Sequence, residues 1–291
     1  MDNTLIVSML AVIGATLGSF AGAQVWRLRA RQLQSDKAEG EPVDAKEYRR
    51  LKSLIRPASH DRSECLSCHH QLAWYDLLPL VSWLSTGGKC RYCRAPIGTF
   101  EPLMEVGVAL ALVTSYLMWP VAIDGLGEMI RFYIWIIACV LMAILFAYDA
   151  KWSLLPFGIN VAFIGVSAFF LGVSVAQAGH VTGGQVVSGV VGLLILSGLY
   201  FGFSLFGWVG TGDAILGIGL ALVLFDWKLA FLAVFLANLL GCLMLIPLAL
   251  KKTLRHNLRI PFGPFLITGT FIAMFWGHTI ISYFLDASMH L

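Results

Sequence analysis

Eight separate apolar stretches of about 17 to 23 residues each run through this chain and constrain its fold more than any other feature. A helix that spans a membrane needs about 20 mostly apolar residues. With 58% hydrophobic and only 13% charged residues, the chain is too apolar for a water-soluble enzyme, a disordered chain or a secreted disulfide scaffold. We therefore predict an all-α polytopic membrane protein with about eight transmembrane helices. The stretches are residues 5–25, 103–121, 132–148, 154–176, 186–206, 208–225, 229–250 and 262–284.

The sixth stretch is the least regular of the eight. Only Ala214 to Phe225 is free of charge, and about 1.5 Å per residue makes that piece too short to cross a membrane alone. The sixth helix is therefore predicted to include Asp213 or to be broken. Asp226, Trp227 and Lys228 separate it from the seventh stretch and predict a tight helical hairpin.

The Lys and Arg residues predict the orientation in the membrane, because loops on the cytosolic side are enriched in them. Residues 27–94 hold 13 of the 20, and Lys151 and residues 251–259 hold five more. If the N-terminus lies outside and eight helices alternate, all 18 fall on the cytosolic side. No basic residue precedes the first stretch, which predicts a reversed anchor rather than a cleaved signal peptide. Both termini are then periplasmic, the partners include membrane lipid, and a net charge of +3 gives no reason to expect nucleic acid.

One polar insert interrupts the apolar pattern. The chain divides into a first transmembrane helix at 1–25, a cytosolic loop domain at 26–101 and a membrane domain of about seven helices at 102–291. Within the insert, Leu51, Leu54 and Ile55 suggest a short amphipathic helix that lies on the membrane surface, although a solvated linker is an equal alternative.

Four cysteines in the insert form two CxxC pairs, Cys65 with Cys68 and Cys90 with Cys93. Paired CxxC knuckles at this spacing are typical of a tetrahedral zinc site with four thiolate ligands. In the reducing cytosol such cysteines bind metal rather than form disulfides. A closed four-thiolate site holds a fold together and does no chemistry, so the zinc is predicted to be structural.

Between the knuckles lies a strongly apolar segment, residues 74–84, which contains Trp74, Tyr75 and Trp83. It is either the small core of the zinc module or a face that presses on the membrane, where Trp and Tyr are favoured.

Three acids at the ends of apolar stretches are candidates for function, since ionisable residues are costly in a membrane. They are Glu105, Asp149 and Asp213, and the predicted topology places all three at the cytosolic boundary. Two close carboxyl groups share one proton, so that one activates water while the other polarises a carbonyl. Gly210 and Gly212 precede Asp213 in a GxGD pattern and allow backbone to approach it.

The motifs, in this order, resemble the type IV prepilin peptidases, bifunctional leader peptidases and N-methyltransferases of bacterial inner membranes. They cover nearly the whole chain, and their combination is specific. The matching residues are Leu17 to Phe20 with Arg27 and Leu28, both CxxC pairs, Trp74 to Asp76, Pro79 to Leu84, Pro102 and Leu103 with Glu105, Asp149 with Leu155 and Pro156, Gly210 to Asp213, and Ile260 to Phe265.

The resemblance implies a GxGD aspartic protease in which Asp149 and Asp213 form the catalytic pair, supported by Gly210, Gly212 and Glu105. The implied substrates are prepilins and pseudopilins, cut after a glycine on the cytosolic side to release a short basic leader. The new N-terminal residue is then methylated from S-adenosylmethionine, and the zinc loop is associated with the methyltransferase members.

The chain departs from the family pattern at four supporting positions. Gly22 and Leu77 stand where Asn is usual, Phe157 where Asp is usual, and Ile215 where Lys is usual. Two other interpretations fit the apolar pattern: a transporter with a zinc-ribbon loop, whose acids carry ions, and a membrane subunit of a pilus or secretion machine that has lost activity.

Overall fold

The protein is described here by a computed structural model that covers residues 3–56, 62–207, 209–250 and 260–289. The chain divides into two units, Met1–Leu117 and Met118–Leu291. Within the described ranges the regular elements are helices, with only two isolated β-bridges, which confirms the predicted all-α class. The basic cluster at 251–259, used above to predict orientation, lies outside the described residues.

The N-terminal unit contains two long helices and the polar insert between them. Its elements are α1 (Asn3–Ala38), α2 (Ala45–Leu51), a 3₁₀ turn (Lys52–Leu54), a second 3₁₀ turn (Trp74–Leu77), α3 (Val81–Thr86) and α4 (Phe100–Leu117). Helices α1 and α4 pack closely because Gly14 and Gly18 have no side chains. A Cβ atom at either position would collide with the α4 backbone, at Ala109 or at Met104.

Helix α1 continues beyond the predicted membrane segment, so the boundary expected at residue 25 falls inside a helix. Its extension packs against α2 and the following turn. Ala30 and Leu33 of α1 are buried together with Leu51 and Leu54. The predicted amphipathic helix is therefore present, but its apolar face packs on protein. The interpretation that this face lies on the membrane surface is wrong.

The C-terminal unit is a bundle of helices. Its elements are α5 (Leu126–Trp152), α6 (Phe157–Ala178), α7 (Gly183–Leu193), a π-helical turn (Leu194–Gly198), α8 (Leu199–Leu205), α9 (Thr211–Leu224), α10 (Trp227–Leu250) and α11 (Gly263–Met289). Helices α7 and α8 and the turn between them form one continuous apolar segment, Gly183–Leu205.

Among the described residues, seven helical segments are long and apolar enough to cross a membrane, and α9 is a shorter apolar helix of 14 residues. At about 1.5 Å per residue, α9 extends only about 21 Å. It contains Asp213 in its first turn, and contacts α6, α7, α8, α10 and α11, so that most of its residues are buried. The predicted sixth helix is thus a short helix enclosed by its neighbours.

Close packing around α9 depends on the absence of side chains at two of its positions. A Cβ atom at Gly217 would collide with the carbonyl oxygen of Leu196 in the π-helical turn. A Cβ atom at Gly219 would lie 2.5 Å from the ring of Phe163 in α6. Larger residues at either position would push α9 away from the helices that enclose it.

Candidate functional site

The four predicted cysteine ligands lie together in the N-terminal unit. Their sulfur atoms all lie within 4.8 Å of one another, and Sγ of Cys65 is 3.9 Å from Sγ of Cys93. Tetrahedral zinc with bonds of about 2.3 Å requires sulfur separations of about 3.8 Å. The cluster is therefore able to bind a metal ion.

The two knuckles share one backbone pattern. In the first knuckle, the backbone N–H of His69 donates to the carbonyl oxygen of Cys65. In the second, the backbone N–H of Arg94 donates to the carbonyl oxygen of Cys90. His69 and Arg94 both have positive φ, at 57° and 60°. The backbone N–H groups of Cys93 and Tyr92 also donate hydrogen bonds to the sulfur of Cys90. Although burial works against ionisation, these donors lower the pKa of the Cys90 thiol to about 7, which favours the thiolate that a metal needs.

The neighbouring histidines are engaged elsewhere. Nδ1 of His69 lies 3.1 Å from a carboxylate oxygen of Glu64 and 3.0 Å from the hydroxyl of Ser53. The ring of His70 lies against that of Tyr92 at a centroid separation of 3.7 Å, with the two planes tilted by 34°. The metal-ligand group in the described structure therefore consists of the four cysteines.

Asp76 joins the segment between the knuckles to the second knuckle, a role that the sequence analysis did not identify. Its carboxylate accepts hydrogen bonds from Arg91 (2.9 Å), from the Tyr92 hydroxyl (2.9 Å) and from the backbone N–H of Ala73 (3.2 Å). Burial alone would raise its pKa, but these donors hold the pKa of Asp76 below its ordinary value. The ionised carboxylate of Asp76 therefore holds the segment between the knuckles against the second knuckle.

The apolar segment between the knuckles is not a core. Trp74 is 75% exposed and Leu84 69%, and Leu77, Leu78 and Val81 are also exposed. The interpretation of residues 74–84 as the core of the zinc module is therefore wrong. A membrane-facing surface stays a prediction.

Glu105 is buried in α4 of the N-terminal unit. Its Oε2 accepts a hydrogen bond of 2.7 Å from the backbone N–H of Leu80, and the Ser19 hydroxyl also donates to it. Leu80 has a φ of 58°, an uncommon value for a branched residue. Glu105 therefore fixes the segment that leads into α3.

The two predicted catalytic aspartates are both buried in the C-terminal unit. Asp149 lies near the end of α5 and Asp213 in the first turn of α9, and these residues are 4% and 8% exposed. Their carboxyl groups are close enough to interact electrostatically. Oδ2 of Asp149 accepts a 2.8 Å hydrogen bond from the N–H of Gly263, at the start of α11. Oδ1 of Asp213 is buried and has no hydrogen-bond partner among the described residues.

The two glycines of the GxGD pattern shape the start of α9. Gly210 is extended and caps the helix, and its carbonyl accepts from the N–H of Asp213 at 3.1 Å. A Cβ atom at Gly212 would lie 3.0 Å from Cβ of Leu155, so only glycine fits there without displacement. The Leu-Pro pair after α5 and the GxGD turn are therefore packed together.

Asn160 on α6 is a further site residue that the sequence analysis missed. It is completely buried, and its Nδ2 donates a hydrogen bond of 3.3 Å to the carbonyl of Gly212. Its position as a lone Asn in an apolar stretch could have indicated a role in the site, because buried polar groups in membrane helices need partners. Asn160 thus holds the backbone next to Asp213.

Comparison with known proteins finds relatives that align with nearly the whole chain. Residues 12–119 match the family described as Bacterial Peptidase A24 N-terminal domain. A prepilin leader peptidase/N-methyltransferase of Aeromonas hydrophila is 30% identical over 97% of this chain and 94% of its own length. One of Pseudomonas aeruginosa is 27% identical over 94% and 92%. An Escherichia coli relative, named as a leader peptide-processing enzyme of type 4 prepilin-like proteins, is 29% identical over 90% and 91%. No solved structure matches the chain.

The fold and these comparisons define a helical, multi-pass membrane enzyme whose N-terminal part matches the bacterial A24 peptidase family. The chain belongs to the prepilin leader peptidase/N-methyltransferase family, since it aligns with such enzymes over nearly its whole length.

Proposed function

We propose that this enzyme is an aspartic endopeptidase of the bacterial inner membrane that removes the short basic leader of type IV prepilins and pseudopilins. Cleavage follows a glycine on the cytosolic side, and the new N-terminal residue is then methylated from S-adenosylmethionine. The observation that carries the peptidase proposal is the pair of buried, interacting carboxyl groups of Asp149 and Asp213.

The environment of each carboxyl group suits one part of peptide hydrolysis. The Gly263 N–H fixes the position of Asp149, and the unpartnered Oδ1 of Asp213 leaves an acceptor for a water molecule or a substrate group. One carboxylate takes a proton from water as the water oxygen bonds to the peptide carbonyl carbon. The other carboxyl group polarises that carbonyl, and the leaving amine nitrogen gains a proton as the C–N bond breaks.

The position of the pair also suits a substrate helix that crosses the membrane. A prepilin has its leader in the cytosol and its apolar part in the bilayer, so the scissile bond lies at the cytosolic boundary. Charge counting predicts that the C-terminal end of α5 and the start of α9 lie at that boundary. Gly210 has an extended backbone and no side chain, which would allow an extended substrate segment to approach Asp213.

We propose that the N-terminal unit carries the methyltransferase activity and that a structural zinc ion stabilises it. The sulfur positions fit zinc, and four thiolate ligands leave no open position for catalysis. Cys65, Cys68, Cys90 and Cys93 would hold the ion, and Asp76 braces the second knuckle. S-adenosylmethionine supplies an electrophilic methyl group for the amine of the new N-terminus.

Substitution of the two aspartates tests the peptidase proposal. Asp149→Asn and Asp213→Asn keep the side-chain shape but remove the acid or the base, so cleavage of a purified prepilin should fall by about 10²-fold or more. Asp226→Asn is the matched control, because Asp226 lies beyond the other end of α9 and caps the N–H groups of Lys228 and Leu229 at the start of α10. Cleavage by either Asp149→Asn or Asp213→Asn at the rate of this control would refute the assignment.

A further inference from the structure

A cavity of about 200 Å³ lies in the N-terminal unit beside the four-cysteine cluster. Its walls come from α1, from both knuckles and from the start of α4. Because one water molecule needs roughly 10–15 Å³ of such space, the cavity has room for roughly ten waters or more. It is therefore large enough for an organic ligand. Its lining includes Ser19, Trp26, Trp83, Cys90, Glu101 and Glu105.

Two acids one helical turn apart line this cavity. The Glu105 carboxylate accepts hydrogen bonds from the Leu80 N–H and from the Ser19 hydroxyl, both of the same unit. Glu101 differs, because only its Oε1 is engaged, by Nε1 of Trp26 at 3.1 Å. Its Oε2 is buried and has no hydrogen-bond partner among the described residues. A buried carboxylate oxygen without a partner is costly, so a positively charged ligand would stabilise it.

Aromatic and basic groups complete the wall. Trp26 is held by its bond to Glu101 and by an edge contact with Phe100 at 5.4 Å. Trp83 is held by a 2.7 Å hydrogen bond from its Nε1 to the carbonyl of Gly98. Lys89 also lines the cavity. The cavity therefore offers negative charge, positive charge and rigid aromatic surface together.

This combination matches one ligand class in particular. S-adenosylmethionine carries a positive sulfur, an ammonium group, a carboxylate and a flat purine. Carboxylates recognise the first two groups, a basic side chain the third, and indole rings favour both the purine and a cation. We propose that the cavity binds S-adenosylmethionine and that Glu101 faces its positive sulfur; this inference rests on the methyl transfer proposed above.

The position of the cavity also relates the metal cluster to this ligand. Cys65 and Cys90 belong to the cavity wall. Metal binding by the cysteines would fix the position of that wall. A metal ion with no open coordination position would therefore still raise the affinity for the methyl donor.

Direct binding to the purified full-length enzyme in nanodiscs tests the proposal. The probes are S-adenosylmethionine and S-adenosylhomocysteine, which lacks the methyl group and has no charge on sulfur. Glu101→Gln keeps an oxygen acceptor for Trp26 but removes the negative charge. It should weaken S-adenosylmethionine binding about tenfold and S-adenosylhomocysteine binding less than about twofold.

Two further variants separate the cavity from the rest of the unit. Glu47→Gln is the matched control, since Glu47 pairs with Arg29 at 2.7 Å and is not a lining residue. It should leave both affinities within about twofold. Ala23→Leu adds bulk to the cavity wall and should weaken both ligands about tenfold. Leader cleavage at the wild-type rate would show that each variant is folded.

The possible failures are distinguishable. Unchanged binding of both ligands by Glu101→Gln and Ala23→Leu would overturn the cavity as the site. Equal loss of both ligands in Glu101→Gln would overturn the role of its charge. If the wild-type enzyme cleaves prepilin but binds neither ligand and transfers no methyl group, the proposed methyl transfer itself is wrong.

Discussion

The backbone N–H of Gly263 donates a hydrogen bond of 2.8 Å to Oδ2 of Asp149, which lies 114 residues earlier in the chain. The bond joins the start of α11 to the end of α5. One of the two proposed catalytic carboxyl groups therefore depends on a backbone group from the last helix.

We expect Gly263→Ala to impair cleavage specifically, because the added methyl group would lie 2.9 Å from Oδ2 of Asp149 and displace it. A shift of a reacting group by a fraction of an ångström reduces kcat/KM by about tenfold or more. Gly165→Ala is the control, since a Cβ atom there meets nothing within 4 Å. Steady-state kinetics on a purified prepilin measures the effect, and equal activity of the two variants would contradict the role given to Gly263.

Asn160→Leu should lower kcat for cleavage by about tenfold, because the carbonyl of Gly212 loses its side-chain donor next to Asp213. Ser174→Ala on the same helix is the matched control, since its hydroxyl donates to the carbonyl of Phe170 within α6 itself. Thermal unfolding of both variants would show whether the fold persists. A kcat of the wild-type size in folded Asn160→Leu would show that Asp213 needs no such support.

Purified protein should contain about one zinc per chain, as a four-thiolate site requires. Cys65→Ser or Cys90→Ser should lower the zinc content and expose residues 62–99 to trypsin. Cys242→Ser serves as the control, because Cys242 lies in α10 of the other unit. Leader cleavage should decrease less than methylation. Metal-free wild-type protein with a trypsin-resistant insert would contradict the assignment of zinc.

Cysteines introduced at the ends of α5 and α9 should react with a membrane-impermeant thiol reagent only from the cytosolic side. Ala150→Cys and Thr211→Cys are suitable because both positions are exposed. Cys139 and Cys242 are first replaced by Ser, and reaction is measured relative to the same protein without the introduced cysteine, because Cys68 and Cys93 are exposed. His180→Cys, in the connection between α6 and α7, should react only from the periplasm. Reaction of position 150 or 211 from outside would overturn the topology and the proposed position of the scissile bond.

The helices and the cysteine cluster could be predicted from sequence because their signals are local. Hydropathy over about 20 residues identifies a membrane helix, and a CxxC pair places two sulfur atoms on one turn. The weakness of the sixth stretch was also visible, because Asp213 shortens its uncharged part. The packing that makes a short α9 tolerable was not visible, since it depends on α6, α7, α8, α10 and α11 together.

The supporting contacts of the site could not be predicted, because they join residues that are distant in sequence. Nothing near Gly263 indicates that its N–H faces Asp149, and nothing near Asn160 indicates the carbonyl of Gly212. The prediction that residues 74–84 form a core was wrong for a different reason. Apolar residues predict burial, but they do not distinguish a protein core from a surface that faces lipid or a partner.

The enclosure of α9 has a consequence for how the enzyme responds to its lipid environment. Membranes differ in hydrocarbon thickness, and helices that face lipid respond by tilting. Helix α9 is surrounded by neighbouring helices and is about 21 Å long, so it does not need to match the bilayer. The depth of Asp213 is set by the protein that surrounds it. The position of Asp213 among the helices that enclose it is thus less sensitive to bilayer thickness than a lipid-facing residue would be.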